Sequence, residues 1–115
     1  SSASAVLLLT VDSLRSDRYN SACFPKTWST FESDFATFSS ALSHGNATPL
    51  AFPSIISSRP VTGNGALPSD ATTIAELFDD RPTAGFSNNG HLTEKRGYNR
   101  GFDSFHDLAP PDAPS

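Results

Sequence analysis

Seven consecutive positions near the start, AVLLLTV at 5–11, are almost wholly apolar, and the polar burst DSLRSDRYN follows at once. A continuous apolar run of this length predicts a strand buried on both faces, as in a parallel sheet covered by helices, with Asp12 where the strand stops. The next pattern has a different period. Trp28, Phe31 and Phe35 recur at helical spacing, which predicts a helix over 27–35 with Thr27 as N-cap and Pro25 just ahead of it. ATFSSALS at 36–43 fits either a continuation of that helix or a second strand, and periodicity leaves both open. Residues 48–58 read as a helix entered through Thr48-Pro49, as N-cap and first helical residue, with Pro53 disturbing its early turns. Over 73–80, Thr73 and Glu76 stand at capping-box spacing, with Ile74, Leu77 and Phe78 as the apolar positions. TAGFS at 83–87 reads as a strand. The alternation predicts an α/β fold, a partial open and mainly parallel sheet flanked by helices, as one segment over 1–109 followed by a proline-rich tail or linker at 110–115. No internal repeat interrupts it.

Composition narrows the partners. The chain has 115 residues, 37% of them hydrophobic and nine of them Phe, enough for one modest core. A net charge of −4, with Lys26 and Lys95 the only lysines, argues against nucleic acid and anionic membrane surfaces, which reward clustered cations. One cysteine, Cys23, excludes an intrachain disulfide and any multi-thiolate zinc or iron–sulfur site. The apolar run is far short of the ~20 residues that span a bilayer, so no membrane span is expected. A soluble, cytoplasmic protein is the expectation, and the acidic, Ser/Thr/Ala-rich composition suits a high-salt cytoplasm or an ordinary acidic protein alike.

In open α/β sheets ligands gather at the carboxyl ends of strands, and Asp12 has that address for a cation or a substrate. It equally suits a turn cap or a partner for Arg15 or Arg18. Thr48, at a helix N-terminus, would set a hydroxyl among free backbone N–H groups and the positive end of the dipole, which favours a phosphoryl or sulfuryl group. A plain capping threonine is the alternative. Of His44, His91 and His106, His91 is best placed, following SNNG beyond the end of the strand at 83–87. Arg59 suits an anion clamp or, by preference, the closure of a helix C-terminus.

Taken together, VLLLTVDSLRSDRY, FSSALS at 38–43, TPLAFPSIISSR at 48–59, TTIAELF at 72–78 and RGFDSF at 100–105 resemble, in order and spacing, the opening third of the sulfatases and related alkaline-phosphatase-superfamily hydrolases. The resemblance makes 36–43 a strand. It implies that Asp12 binds the active-site divalent cation, calcium or magnesium or else zinc, although Ser13 stands where many sulfatases have a second aspartate. Counting back from Ser57-Ser58-Arg59 without gaps puts Thr48 at the nucleophile, Leu50 at the motif's proline and Phe52 at its arginine, so the formylglycine motif is absent. A gapped alternative, matching Pro53-Ser54, would put Ala51 there and leave no nucleophile. Threonine is the nucleophile in related phosphodiesterases and transferases of the superfamily. SNNGHL matches the family's Gly-Lys-Trp-His-Leu segment at His91-Leu92, which implies an anion or leaving-group contact for His91, with Asn89 in place of the lysine.

Family members run to several hundred residues, and their remaining metal ligands come later, so the chain is expected to be an N-terminal fragment of a hydrolase of small sulfate or phosphate esters, inactive by itself. The alternative is a non-catalytic, sulfatase-derived interaction domain that self-associates or packs on a partner, since a piece of parallel sheet leaves a strand edge unpaired.

Overall fold

A computed structural model of the chain describes residues 4–60 and 65–109; the tail at 110–115 lies outside them. The chain divides into two compact units, Ser1–Ala41 and Leu42–Ser115.

In the first unit the apolar run at 5–11 forms no strand, and its side chains are exposed, Leu7 by 85% and Leu9 by 72%. This corrects the buried strand expected there. An apolar run becomes a buried strand only when other backbone pairs with it and other side chains cover it, and no described residue does either. The chain then turns through Ser13, whose φ of 57° lies in the left-handed region. Asn20 organises the approach to the first helix. Its Oδ1 accepts the Ala22 and Cys23 N–H groups at 3.0 and 2.9 Å, and its Nδ2 donates to the Asp17 carbonyl at 3.0 Å. Helix α1 (Pro25–Asp34) begins two residues before the predicted start, with Phe24 as N-cap and Pro25 at the first helical position, where its fixed φ suits the helix and its missing N–H costs nothing. Thr27 is therefore inside the helix and caps nothing. Trp28 packs on Tyr19 at 5.3 Å between ring centroids, and Phe31 meets Phe35 edge-on at 4.9 Å. No residue of α1 is buried. The stretch at 36–43, expected as a strand, is irregular and exposed, with the Phe38 and Leu42 side chains open to solvent.

The second unit holds the core. Helix α2 (Thr48–Ser57) has Ala47, not Thr48, as its N-cap, which moves Thr48 and Pro49 one place into the helix. Pro53 is accommodated inside a continuous helix, buried, and the helix closes on Ser58 in the left-handed region with φ 58°. The Ile56 carbonyl accepts the Ile74 N–H at 2.8 Å and ties α2 to the segment after it. Ile56, Leu67 and Tyr98 form the buried cluster, and Phe52, Ile74, Leu92 and Phe105 pack against it.

The capping box is present: the Thr73 N–H donates to Glu76 Oε2 at 2.9 Å, and the Glu76 N–H donates to Thr73 Oγ1 at 3.3 Å. It opens only a 3-10 turn at Ala75–Phe78 rather than the predicted helix. Beyond Phe78 the sequence Asp-Asp-Arg-Pro offers no apolar face to bury, and Pro82 ends any helix. Gly101, with φ 88°, passes so close that a Cβ there would lie 2.5 Å from the Glu76 backbone nitrogen.

Strand β1 (Ala84–Ser87) lies within the predicted segment and pairs in parallel with β2 (Ser104–Asp107), Ala84 opposite Ser104 and Ser87 opposite Asp107. The coarse expectation, helices with a parallel sheet, is thus met in a small α/β unit.

Candidate functional site

Thr48 is half-buried at the first residue of α2. The amides around it are fewer than the sequence led one to expect. Pro49 has none, and the Leu50 and Ala51 N–H groups both donate to the Ala47 carbonyl at 2.9 Å. An anion beside Thr48 would meet the helix dipole rather than a fork of free amides. Gly65 (φ 86°) fixes this end of the helix from outside, since a Cβ there would lie 2.5 Å from Pro49 Cβ. The Gly65 carbonyl in turn accepts the Tyr98 hydroxyl at 2.8 Å. Neither Gly65 nor Tyr98 stands out in the sequence, because their role depends on contacts across more than thirty residues of chain.

His91 sits in the turn that follows β1, at the carboxyl end of a parallel strand. The Asn89 side chain makes this turn, its Oδ1 accepting the His91 N–H at 2.8 Å while the Asn89 carbonyl accepts the Leu92 N–H at 3.0 Å. Ser87 Oγ lies within 3.4 Å of the Asn89 N–H. The ring is partly buried, and its Nδ1 is shielded from solvent with no hydrogen-bond partner. A buried polar atom left so costs about 1–3 kcal/mol, which makes it a ready donor or acceptor for a ligand.

Thr48 and His91 are not hydrogen-bonded to each other. The same core nevertheless holds their elements, through Phe52 and Ile56 from α2 and Leu92 from the turn.

Asp12 belongs to the first unit and is exposed, with Ser13 Oγ donating to its Oδ2 at 3.3 Å. Arg15, one partner considered for it, forms a forked pair with Asp17 at 3.0 and 2.7 Å. Hard divalent cations take six or more oxygen ligands, and no group of three or more His, Cys, Asp or Glu side chains gathers among the described residues.

The other candidates have structural surroundings. Arg59 pairs with Asp70 at 3.0 Å, and its guanidinium holds the Asp70 carboxyl below its ordinary range. His106 stacks on Phe86 across the strands, 4.8 Å between centroids and 12° from parallel, while His44 and Cys23 are exposed. A shallow depression is lined by Glu76, Asp79, Asp80, Arg81, Thr83 and Asp103. Three of its carboxylates serve the fold: Glu76 takes the Thr73 N–H, Asp103 takes the Thr83 N–H and Asp80 pairs with Arg81.

Comparison of the chain with family models, curated proteins and solved structures found no significant match. No helix among the described residues is long and apolar enough to cross a membrane.

Proposed function

We propose that the chain is the N-terminal part of a sulfatase-like, metal-dependent hydrolase of small sulfate or phosphate esters on an alkaline-phosphatase-like fold. What supports the reading in the sequence is the order of five motifs. In the structure the carrying observation is the unpartnered, buried Nδ1 of His91 at the carboxyl end of β1, where α/β folds place ligands. Thr48 Oγ would attack sulfur or phosphorus as the bond to the leaving oxygen breaks. The hydroxyl proton must end on that oxygen, and His91 is the group offered for the transfer. Water would then hydrolyse the threonine ester. Thr48 is neither cysteine nor serine, so no formylglycine takes part. The divalent cation proposed at Asp12 would draw its remaining ligands from beyond the residues described.

The test is turnover of aryl phosphate and aryl sulfate by the full-length parent enzyme, with calcium, magnesium or zinc supplied. Thr48→Ala should abolish it, and His91→Gln should lower it by about 10²–10⁴-fold. Unchanged turnover in Thr48→Ala would falsify the nucleophile assignment. Titration with inorganic sulfate or phosphate, followed by the His91 ring resonances, checks the anion contact without depending on turnover. Resonances that do not move would remove His91 from the site.

A further inference from the structure

The turn that carries His91 contains the pair Asn89-Gly90. Glycine after asparagine leaves the next backbone nitrogen unshielded by any Cβ, close to the side-chain amide carbon it can attack. Three features of the folded turn favour that attack. The His91 N–H donates to Asn89 Oδ1 at 2.8 Å, so a donor already stands where negative charge gathers as the amide carbon becomes tetrahedral. The Gly90 N–H, the attacking group, donates to no described residue. Asn89 Nδ2, the leaving group, also has no hydrogen-bond partner among the described residues. Asn20 provides the contrast. Its Oδ1 accepts the Ala22 and Cys23 N–H groups, but its Nδ2 is tied to the Asp17 carbonyl at 3.0 Å, and Ser21 follows it with a Cβ.

We infer that Asn89 is a site of spontaneous deamidation, and that the conversion switches off the anion contact at His91. The Gly90 nitrogen bonds to Asn89 Cγ, the Cγ–Nδ2 bond breaks, and ammonia leaves with the proton that the Gly90 nitrogen gives up. The product is a cyclic succinimide. Water then opens one or the other of its carbonyls, which leaves aspartate or, with the main chain rerouted through the side chain, isoaspartate. Both products put a carboxylate in the turn where a neutral amide stood. Isoaspartate also lengthens the main chain by one carbon and removes the side-chain acceptor of the His91 N–H. A negative charge at that N–H repels sulfate or phosphate. The switch rests on the anion-binding reading of His91, whereas the conversion does not.

Mass spectrometry of the full chain, aged warm in neutral buffer and then digested, tests the site, with isoaspartate resolved from aspartate. Asn89 should convert progressively while Asn20 remains an amide. A second Asn-Gly pair, Asn64-Gly65, has its asparagine outside the described residues, and the peptide map reads the two sites apart. Gly90→Ala should lose the conversion over the same period. Gly90 is not among the described glycines of positive φ, so alanine suits its backbone. The switch is read in an Asn64→Gln background by titration with inorganic sulfate, followed at the His91 ring resonances. The fresh chain should show a shift that is lost from the aged chain and from Asn89→Asp. An Asn89 that converts no faster than Asn20, or undiminished conversion in Gly90→Ala, would overturn the site. A sulfate shift that persists in Asn89→Asp would overturn the switch and leave the His91 reading standing. A fresh chain with no shift would overturn that reading, and the switch with it, but not the site.

Discussion

Tyr98 is 3% exposed although it lies in EKRGYNR, among charged and turn-forming residues with no apolar period. Its burial is not a local property; it comes from Ile56, Leu67 and the Phe52 ring, which meets it edge-on at 5.7 Å. Burial pushes the phenol up to about 12, with the Arg96 charge opposing weakly. A folded-state value above the ordinary one means that the contribution is complete below the unfolded pKa near 10 and is lost as pH rises toward 12. Unfolding in urea between pH 7 and pH 12 should show stability falling over that upper range. Tyr98→Phe should flatten the fall and, through the lost bond to the Gly65 carbonyl, cost about 0.5–1.5 kcal/mol at neutral pH. His91 and Thr48 were legible as residue types at informative addresses. The missing partner of Nδ1 was not, since only surrounding chain can exclude water from a ring nitrogen.

Elements were legible in proportion to how local their causes are. The capping box spans four residues, and its two reciprocal bonds form as the spacing of Thr73 and Glu76 predicts. Thr73 does more than cap, because it is wholly buried and its hydroxyl donates to the Arg100 carbonyl at 2.9 Å. Thr73→Ala should therefore cost about 1–3 kcal/mol, more than a surface cap alone, measurable as a lowered urea midpoint at unchanged slope. Helix α2 was legible as an element but not at its boundary, because Pro49 tolerates either of the first two helical positions. β2 was missed as a strand. SFHD has no apolar alternation, and it pairs because the Asp103 carboxylate takes the Thr83 N–H and aligns it with β1.

At the scale of the whole molecule, every buried residue among those described lies in the second unit. Backbone bonds there join distant segments, Ile74 to Ile56 and Leu67 to Arg96, whereas α1 rests on its own turns and a few exposed ring contacts. Hydrogen exchange of the full chain at low concentration should accordingly find the Ile74 and Leu67 amides protected roughly tenfold or more beyond those of α1. Equal protection would show that the first unit has stability of its own that its packing does not account for.

The sequence by itself determined the α/β class, the two main helices, the strand at 83–87 and the capping box, because each rests on residue order within a few positions. It also named Asp12, Thr48 and His91 as the chemistry to examine. Tertiary structure decided the rest: that 5–11 stands exposed and unpaired, that Gly65 and Tyr98 brace the start of α2, and that His91 keeps a buried nitrogen without a partner. Burial and strand pairing belong to contacts between distant segments, and an apolar run states a need for such contacts without saying which chain will meet it.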